Sequence, residues 1–105
     1  MNFYIQCKNI IKKLRECKNS WPFRKPVDQK EVPDYFEVIT EPMDIQTLEN
    51  NLESGCYKNK EIFVKDLRKI FNNAKQYNKP HTIYHKYAKD LEHTVEDDIQ
   101  NLKEN

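Results

Sequence analysis

The chain has 105 residues, a formal net charge of +1 and a single glycine, Gly55. That length suits one domain, and about a quarter of its residues are Leu, Ile, Val or Phe, too many for wholesale disorder at so small a net charge. The lone glycine excludes the glycine-rich phosphate cradles of dinucleotide folds, P-loops and kinases, and near-neutrality argues against a protein made mainly to grip phosphate backbones. No apolar run reaches the ~20 residues that span a bilayer, and no leader pattern is read at the start. Three scattered cysteines, Cys7, Cys17 and Cys56, make no disulfide framework and point to a reducing compartment.

In chain order, the first predicted helix covers residues 3–18. Phe3, Cys7, Ile10, Leu14, Cys17 and Trp21 fall at alternating spacings of four and three, one apolar stripe on a helix. Residues 19–43 read as a long loop carrying Pro22, Pro26, Pro33 and Pro42 together with many apolar side chains. Proline cuts its unfolded entropy and those side chains need cover, so a structured loop packed on one end of the molecule is expected, with a short helical turn near 34–39. A second helix is predicted at 44–54, capped by Asp44, striped by Ile45, Leu48 and Leu52, and stopped by Gly55. A third covers 60–77, from Asn59 to the block imposed by Pro80, with Phe63, Leu67, Ile70, Phe71, Ala74 and Tyr77 on one side. The fourth runs over 82–103 through Tyr84, Ala88, Leu91, Val95, Ile99 and Leu102. No segment alternates as a half-buried strand does. The expected fold is all-α, an up-down bundle of four amphipathic helices in one domain over 1–105.

In such a bundle the first and third helices end at the same pole. The long loop and the turn at 78–82 therefore meet there, and a cleft between them is the natural site. Charge is divided too: residues 1–19 carry five basic side chains against one acidic, and residues 90–105 carry six acidic against one basic. Antiparallel packing of the first and last helices would neutralise both.

Catalytic signatures are absent. No nucleophile–base pair is visible, so no catalytic residue is assigned. His81 and His85 lie four apart on a helix start, but two histidines do not close a metal site, and no metal or cofactor is expected. What remains is a cluster at the loop pole: Trp21-Pro22-Phe23, Pro33-Asp34-Tyr35-Phe36, Pro42-Met43-Asp44, Tyr77-Asn78-Lys79-Pro80, and Tyr84. Read plainly, Asn78 is a helix end in the left-handed conformation that asparagine tolerates, and the aromatics seal the core.

Those motifs, in that order and at that spacing, resemble the bromodomain family over essentially the whole chain. The loop and Tyr84 look most similar to the bromodomains attached to nuclear coactivator-type histone acetyltransferases. The resemblance implies a left-handed four-helix bundle that binds acetylated lysine in histone tails, without catalysis of its own, inside a larger nuclear chromatin or transcription regulator. Carried over residue by residue, it implies that Asn78 donates its side-chain amide to the acetyl carbonyl and that Tyr35 holds a water bridging to the same oxygen. Trp21, Pro22 and Phe23 would form a shelf, Val27 and Val32 a wall, Tyr77 a support for the asparagine, and Tyr84 the guard of the mouth. Two positions depart from the family's common pattern: Ala74 where cysteine is frequent and Phe36 where a second tyrosine is frequent.

The chemistry of such a pocket is simple. Acetylation turns an ammonium into a neutral amide, which an apolar slot accepts; a bare buried charge costs several kcal/mol. The acetyl oxygen still needs a donor, and asparagine offers its NH₂ while its own oxygen can be fixed by backbone. About ten ligand atoms at roughly −0.5 kcal/mol each give an affinity on the order of 100 µM. Rim residues Arg24, Lys25, Glu31, Glu41, Lys79 and His81 are candidates for reading flanking sequence. The partners expected are acetylated histone tails and chromatin-complex subunits, with no membrane and no sequence-specific nucleic acid, for a monomeric domain. The competing reading is a helical scaffold that binds its partner without regard to acetylation, through Lys12 and Lys13.

Overall fold

A computed structural model of the chain describes residues 1–104. Its elements are α1 (Phe3–Glu16), a 3₁₀ helix (Lys18–Phe23), α2 (Tyr35–Val38), α3 (Ile45–Glu53), α4 (Lys60–Tyr77) and α5 (Ile83–Asn101). There is no strand among the described residues. The four longer helices form a closed ring, α1 on α3, α3 on α4, α4 on α5 and α5 back on α1. The fold is thus an all-α, up-down four-helix bundle.

Local sequence explains where each of the four begins. Asn2, Asp44, Asn59 and Thr82 each sit just before a helix in extended backbone, and each side chain accepts the N–H three residues on. This satisfies one of the otherwise orphaned donors of the first turn. Gly55 closes α3 with φ +78°, a backbone angle that strains any other L-residue.

Several boundaries differ from expectation; α3 occupies 45–53, inside the expected 44–54, because Asp44 and Ser54 are its caps. The first helix stops at Glu16, not at residue 18, because Cys17 is extended (ψ 134°) and the chain re-winds as a 3₁₀ helix. That segment is held by polar contacts: Ser20, fully buried, donates to the Cys17 carbonyl at 2.7 Å, and Arg24 Nε donates to Ser20 Oγ at 3.0 Å. The apolar spacing that ran through Trp21 therefore spans two elements, and Trp21 is 54% exposed rather than part of the stripe. The last helix occupies 83–101, inside the expected 82–103, since Thr82 is its cap and Leu102 is extended.

The core is built from the predicted stripes. Cys7, Ile10 and Leu14 of α1 meet Leu48 of α3, Phe63, Leu67 and Phe71 of α4, and Leu91 and Val95 of α5. Ile11 and Tyr57, which the spacing argument passes over, are also buried. Tyr57 is admitted because its hydroxyl donates to Asp66 Oδ2 at 2.7 Å and accepts from Asn51 at 3.2 Å.

Opposed charges pair across the ring. Lys13 of α1 meets Asp98 of α5 at 2.9 Å, while Lys8 and Arg15 turn instead to Glu53 and Glu49 of α3. Arg68 and Lys75 of α4 bind Glu92 and Glu96 of α5. These contacts match the antiparallel packing of α1 with α5 and of α4 with α5, and being partly exposed they add little to it.

Burial raises the pKa of the Cys7 thiol from 9.0 to about 12. The folded state therefore keeps a proton that the unfolded chain has lost above pH 9, so its contribution to stability is present below pH 9 and falls as pH rises toward 12. We expect thiol labelling at neutral pH to reach exposed Cys56 readily and Cys7 only as fast as the domain unfolds. Labelling of native Cys7 at the rate of Cys56 would contradict the packing.

Candidate functional site

At the pole where α1 and α4 end, the long loop folds over the turn that follows α4. Between them lies a cavity of about 260 Å³. It is lined by Pro22, Phe23, Val27, Val32, Tyr35, Tyr77, Asn78 and Tyr84, eight of the nine residues singled out from sequence. It is also lined by Lys25, Met43, Asp44, Ile70 and Ala74. Trp21, the ninth, stands outside the lining and meets Tyr84 edge-on, with ring centroids 6.1 Å apart. Those two rings make a partly exposed apolar ridge beside the mouth.

Several elements supply the walls, among them α5 through Tyr84. The 3₁₀ segment contributes Pro22 and Phe23 and is pinned to α3, where Gln46 N–H donates to the Arg24 carbonyl at 3.1 Å. The loop contributes Val27 and Val32, then the short helix α2, whose first residue is Tyr35. The end of α4 contributes Ile70, Ala74, Tyr77 and Asn78. Ile70 belongs to the core cluster and lines the cavity, with buried Ala74 beside it, so the cavity floor is the top of the hydrophobic core.

Asn78 is extended (φ −102°, ψ 134°) and not left-handed, which corrects the plain helix-end reading. Pro80 cannot continue the helix and disfavours helical backbone at Lys79, so the chain leaves α4 here. Asn78 is anchored twice to one carbonyl: its backbone N–H and its side-chain Nδ2 both reach Ala74 O at 3.0 Å. Backbone therefore fixes the amide nitrogen of Asn78 and not its oxygen. One of its two N–H donors and the whole of Oδ1 remain for a ligand.

Tyr35 is 8% exposed. Burial, and then the neighbouring Tyr77, push its phenol pKa above the ordinary 10.0. It stays protonated and able to donate. Its ring packs edge-on against Tyr77 at 4.9 Å and Phe36 at 5.4 Å. No protein group among the described residues takes its hydroxyl.

Tyr77 does not hydrogen-bond Asn78. Its hydroxyl donates to Asp34 Oδ1 at 2.8 Å, which ties the end of α4 to the start of α2 and holds the phenol protonated. We expect Tyr77→Phe to keep the ring pair and a near-native thermal midpoint while amides of residues 34–39 exchange severalfold faster. Unchanged exchange there would show that the bond to Asp34 does not hold the loop.

Among the rim candidates, Arg24 is turned inward onto Ser20 and the Cys17 carbonyl, and Glu41 is paired with Lys69 at 3.0 Å. Lys25, Glu31, Lys79 and His81 are exposed, and of these Lys25 lines the cavity. Lys13, one of the two lysines of the scaffold reading, is occupied by Asp98. Asp44 and Met43 belong to the wall through the Pro42-Met43-Asp44 motif, whose Asp44 is buried as the cap of α3. Among the described residues no three His, Cys, Asp or Glu side chains gather as a metal set. No helix among them is long and apolar enough to cross a membrane.

Comparison with known proteins bears on this site. The family model described as Bromodomain matches residues 7–90, the stretch that holds every lining residue. Nucleosome-remodeling factor subunit NURF301 of Drosophila melanogaster is 43% identical over 100 residues, covering 95% of this chain and 4% of that protein. Histone acetyltransferase GCN5 of Oryza sativa subsp. japonica is 43% identical over 86 residues, 81% of this chain and 17% of that protein. Tyrosine-protein kinase BAZ1B of Homo sapiens is 42% identical over 73 residues, 70% of this chain and 5% of that protein. The chain spans less than a fifth of the length of each of these relatives.

Proposed function

The chain belongs to the bromodomain family, and from that premise we propose that its loop-pole cavity takes an acetylated lysine side chain of a histone tail, with Asn78 as the donor to the acetyl oxygen. Bromodomains are modules that read acetylated lysine in chromatin proteins; this domain binds and does not catalyse.

The observation that carries the reading is the sparse polarity of the cavity. Its walls are mostly valine, proline, methionine, isoleucine and aromatic rings, and its lining offers two uncommitted donors, the second N–H of Asn78 and the Tyr35 hydroxyl. A neutral amide at the end of an alkyl chain matches that arrangement. The carbonyl takes Asn78 directly and Tyr35 through a water, and the methyl and methylenes lie against Pro22, Phe23, Val27 and Val32. Trp21 and Tyr84 flank the entering chain, and Tyr77 acts by holding the loop. The one carboxylate in the lining, Asp44, has both oxygens engaged by Thr47 as the cap of α3 and so offers an ammonium little to offset its lost hydration.

The same proposal extends to the parent. Its relatives include a nucleosome-remodeling factor subunit and a histone acetyltransferase. We read the domain as a monomeric nuclear targeting module that brings a larger chromatin regulator, such as an acetyltransferase, and its associated subunits to acetylated nucleosomes.

Calorimetric titration with paired acetylated and unmodified histone-tail peptides tests the reading. The acetylated peptide is expected to bind with a Kd on the order of 100 µM. Its unmodified twin is expected to bind at least about a hundredfold more weakly, from the cost of burying a charge. Equal affinity for both would overturn it.

A further inference from the structure

Asn78 and Tyr35 must stand at a set separation if one ligand oxygen is to use both, yet they belong to different elements. Asn78 ends α4. Tyr35 begins α2, which the chain reaches only through residues 24–34, a stretch without helix. So long a tether does not by itself fix a hydroxyl.

The helix that carries Asn78 reaches across to the loop. Gln76 Nε2 donates to the carbonyl of Val38, the last residue of α2, at 3.3 Å. Asn73 Nδ2 donates to the carbonyl of Glu41 at 2.8 Å. The N–H of Ile39, the residue that closes α2, donates to the Tyr35 carbonyl at 2.8 Å, and Ile39 is 1% exposed, so the turn moves as one body with Tyr35. Neither Asn73 nor Gln76 lines the cavity. Each instead satisfies a carbonyl, at the end of α2 or just beyond it, that no helix or sheet bond would otherwise engage.

We propose that Asn73 and Gln76 are positioning residues of the acetyl-lysine site, which clip α2 and the residues after it to α4 and so set Tyr35 in register with Asn78. This rests on the reading of the cavity given above. The ligand then meets two polar contacts already spaced, instead of having to order the loop. Loosening the clips lowers the fraction of molecules ready to bind, and apparent affinity falls by that fraction.

The test uses a histone H4 tail peptide acetylated at every lysine, titrated into the wild type, Asn73→Ala, Gln76→Ala, Tyr35→Phe, and Asn73→Ala combined with Tyr35→Phe. Asn73→Ala is expected to weaken binding about fivefold in the native background. In the Tyr35→Phe background the same change is expected to cost less than about twofold, because the group it positions is gone. No loss in the native background, or an equal loss in both, overturns the proposal. A wild type that ignores the peptide overturns the cavity reading itself, which separates the two failures. Amide exchange gives a readout without ligand: in Asn73→Ala and in Gln76→Ala, Ile39 is expected to exchange about tenfold faster while Leu67 in the middle of α4 does not change. Unaltered Ile39 exchange in both variants also overturns the proposal.

Discussion

Replacing Asn78 by alanine is expected to remove measurable binding of acetylated peptides and to leave the bundle folded. The acetyl carbonyl gives up water on entering an apolar cavity, and an unmatched buried carbonyl costs ~1–3 kcal/mol, or roughly 5–150-fold in affinity. From a starting Kd on the order of 100 µM, that places the variant in the millimolar range or beyond. The fold survives because Asn78 is anchored to Ala74 O by its backbone N–H as well as by its side chain, and the backbone bond remains in the variant. The helix end is also set by Pro80, which the substitution does not touch. Parallel circular dichroism and calorimetry check both halves. A variant that binds as the wild type does would remove Asn78 from the site, and one that unfolds would show that its anchoring bond serves the bundle first.

The second large effect falls on stability. Phe71 has no exposed surface and stands one residue from Ile70 and three from Ala74, both of which line the cavity. Phe71→Ala removes most of a ring from the packed centre of the ring of helices, which typically costs ~3–5 kcal/mol in lost burial and residual void. Domains of this size hold only about 5–15 kcal/mol in all. The thermal midpoint is expected to fall by roughly 15–30 °C. Peptide binding is expected to weaken as well, since the cavity floor rests on the core that Phe71 fills. A midpoint within a few degrees of the wild type would mean that the core relaxes around the loss, contrary to a closely packed centre.

Much of this architecture was legible in residue spacing. Asn59 and Pro80 bracket α4 with no ambiguity, since one supplies an oxygen to a first-turn N–H and the other lacks an N–H of its own. The stripes of α3, α4 and α5 follow helical periodicity closely enough to name most of the core. The end of α1 was not legible, because a 3₁₀ turn preserves nearly the same three-and-four spacing while rotating Trp21 out to solvent. The expected meeting of the long loop with the 78–82 turn is where the cavity lies, but its finer geometry depends on individual atoms. Sequence does not say which end of the Asn78 amide is tethered, nor that Tyr77 turns to Asp34. The part played by Asn73 and Gln76 is hidden for a related reason: polar residues on a helix read as a solvated face, and only their spacing with Tyr77 along the side facing the loop hints at another use.

The most direct measurement is a nitrogen-resolved NMR titration that follows the side-chain amide of Asn78 as peptide is added. With an acetylated histone-tail peptide, the Asn78 Nδ2 resonance is expected to shift progressively and saturably, together with signals from Tyr35, Val27 and Tyr84. The unmodified peptide at the same concentrations is expected to leave them in place. If both peptides moved the Asn78 amide alike, or if shifts gathered on the lysines of α1 and left the cavity untouched, a slot selective for the neutralised side chain would be the wrong description of this domain.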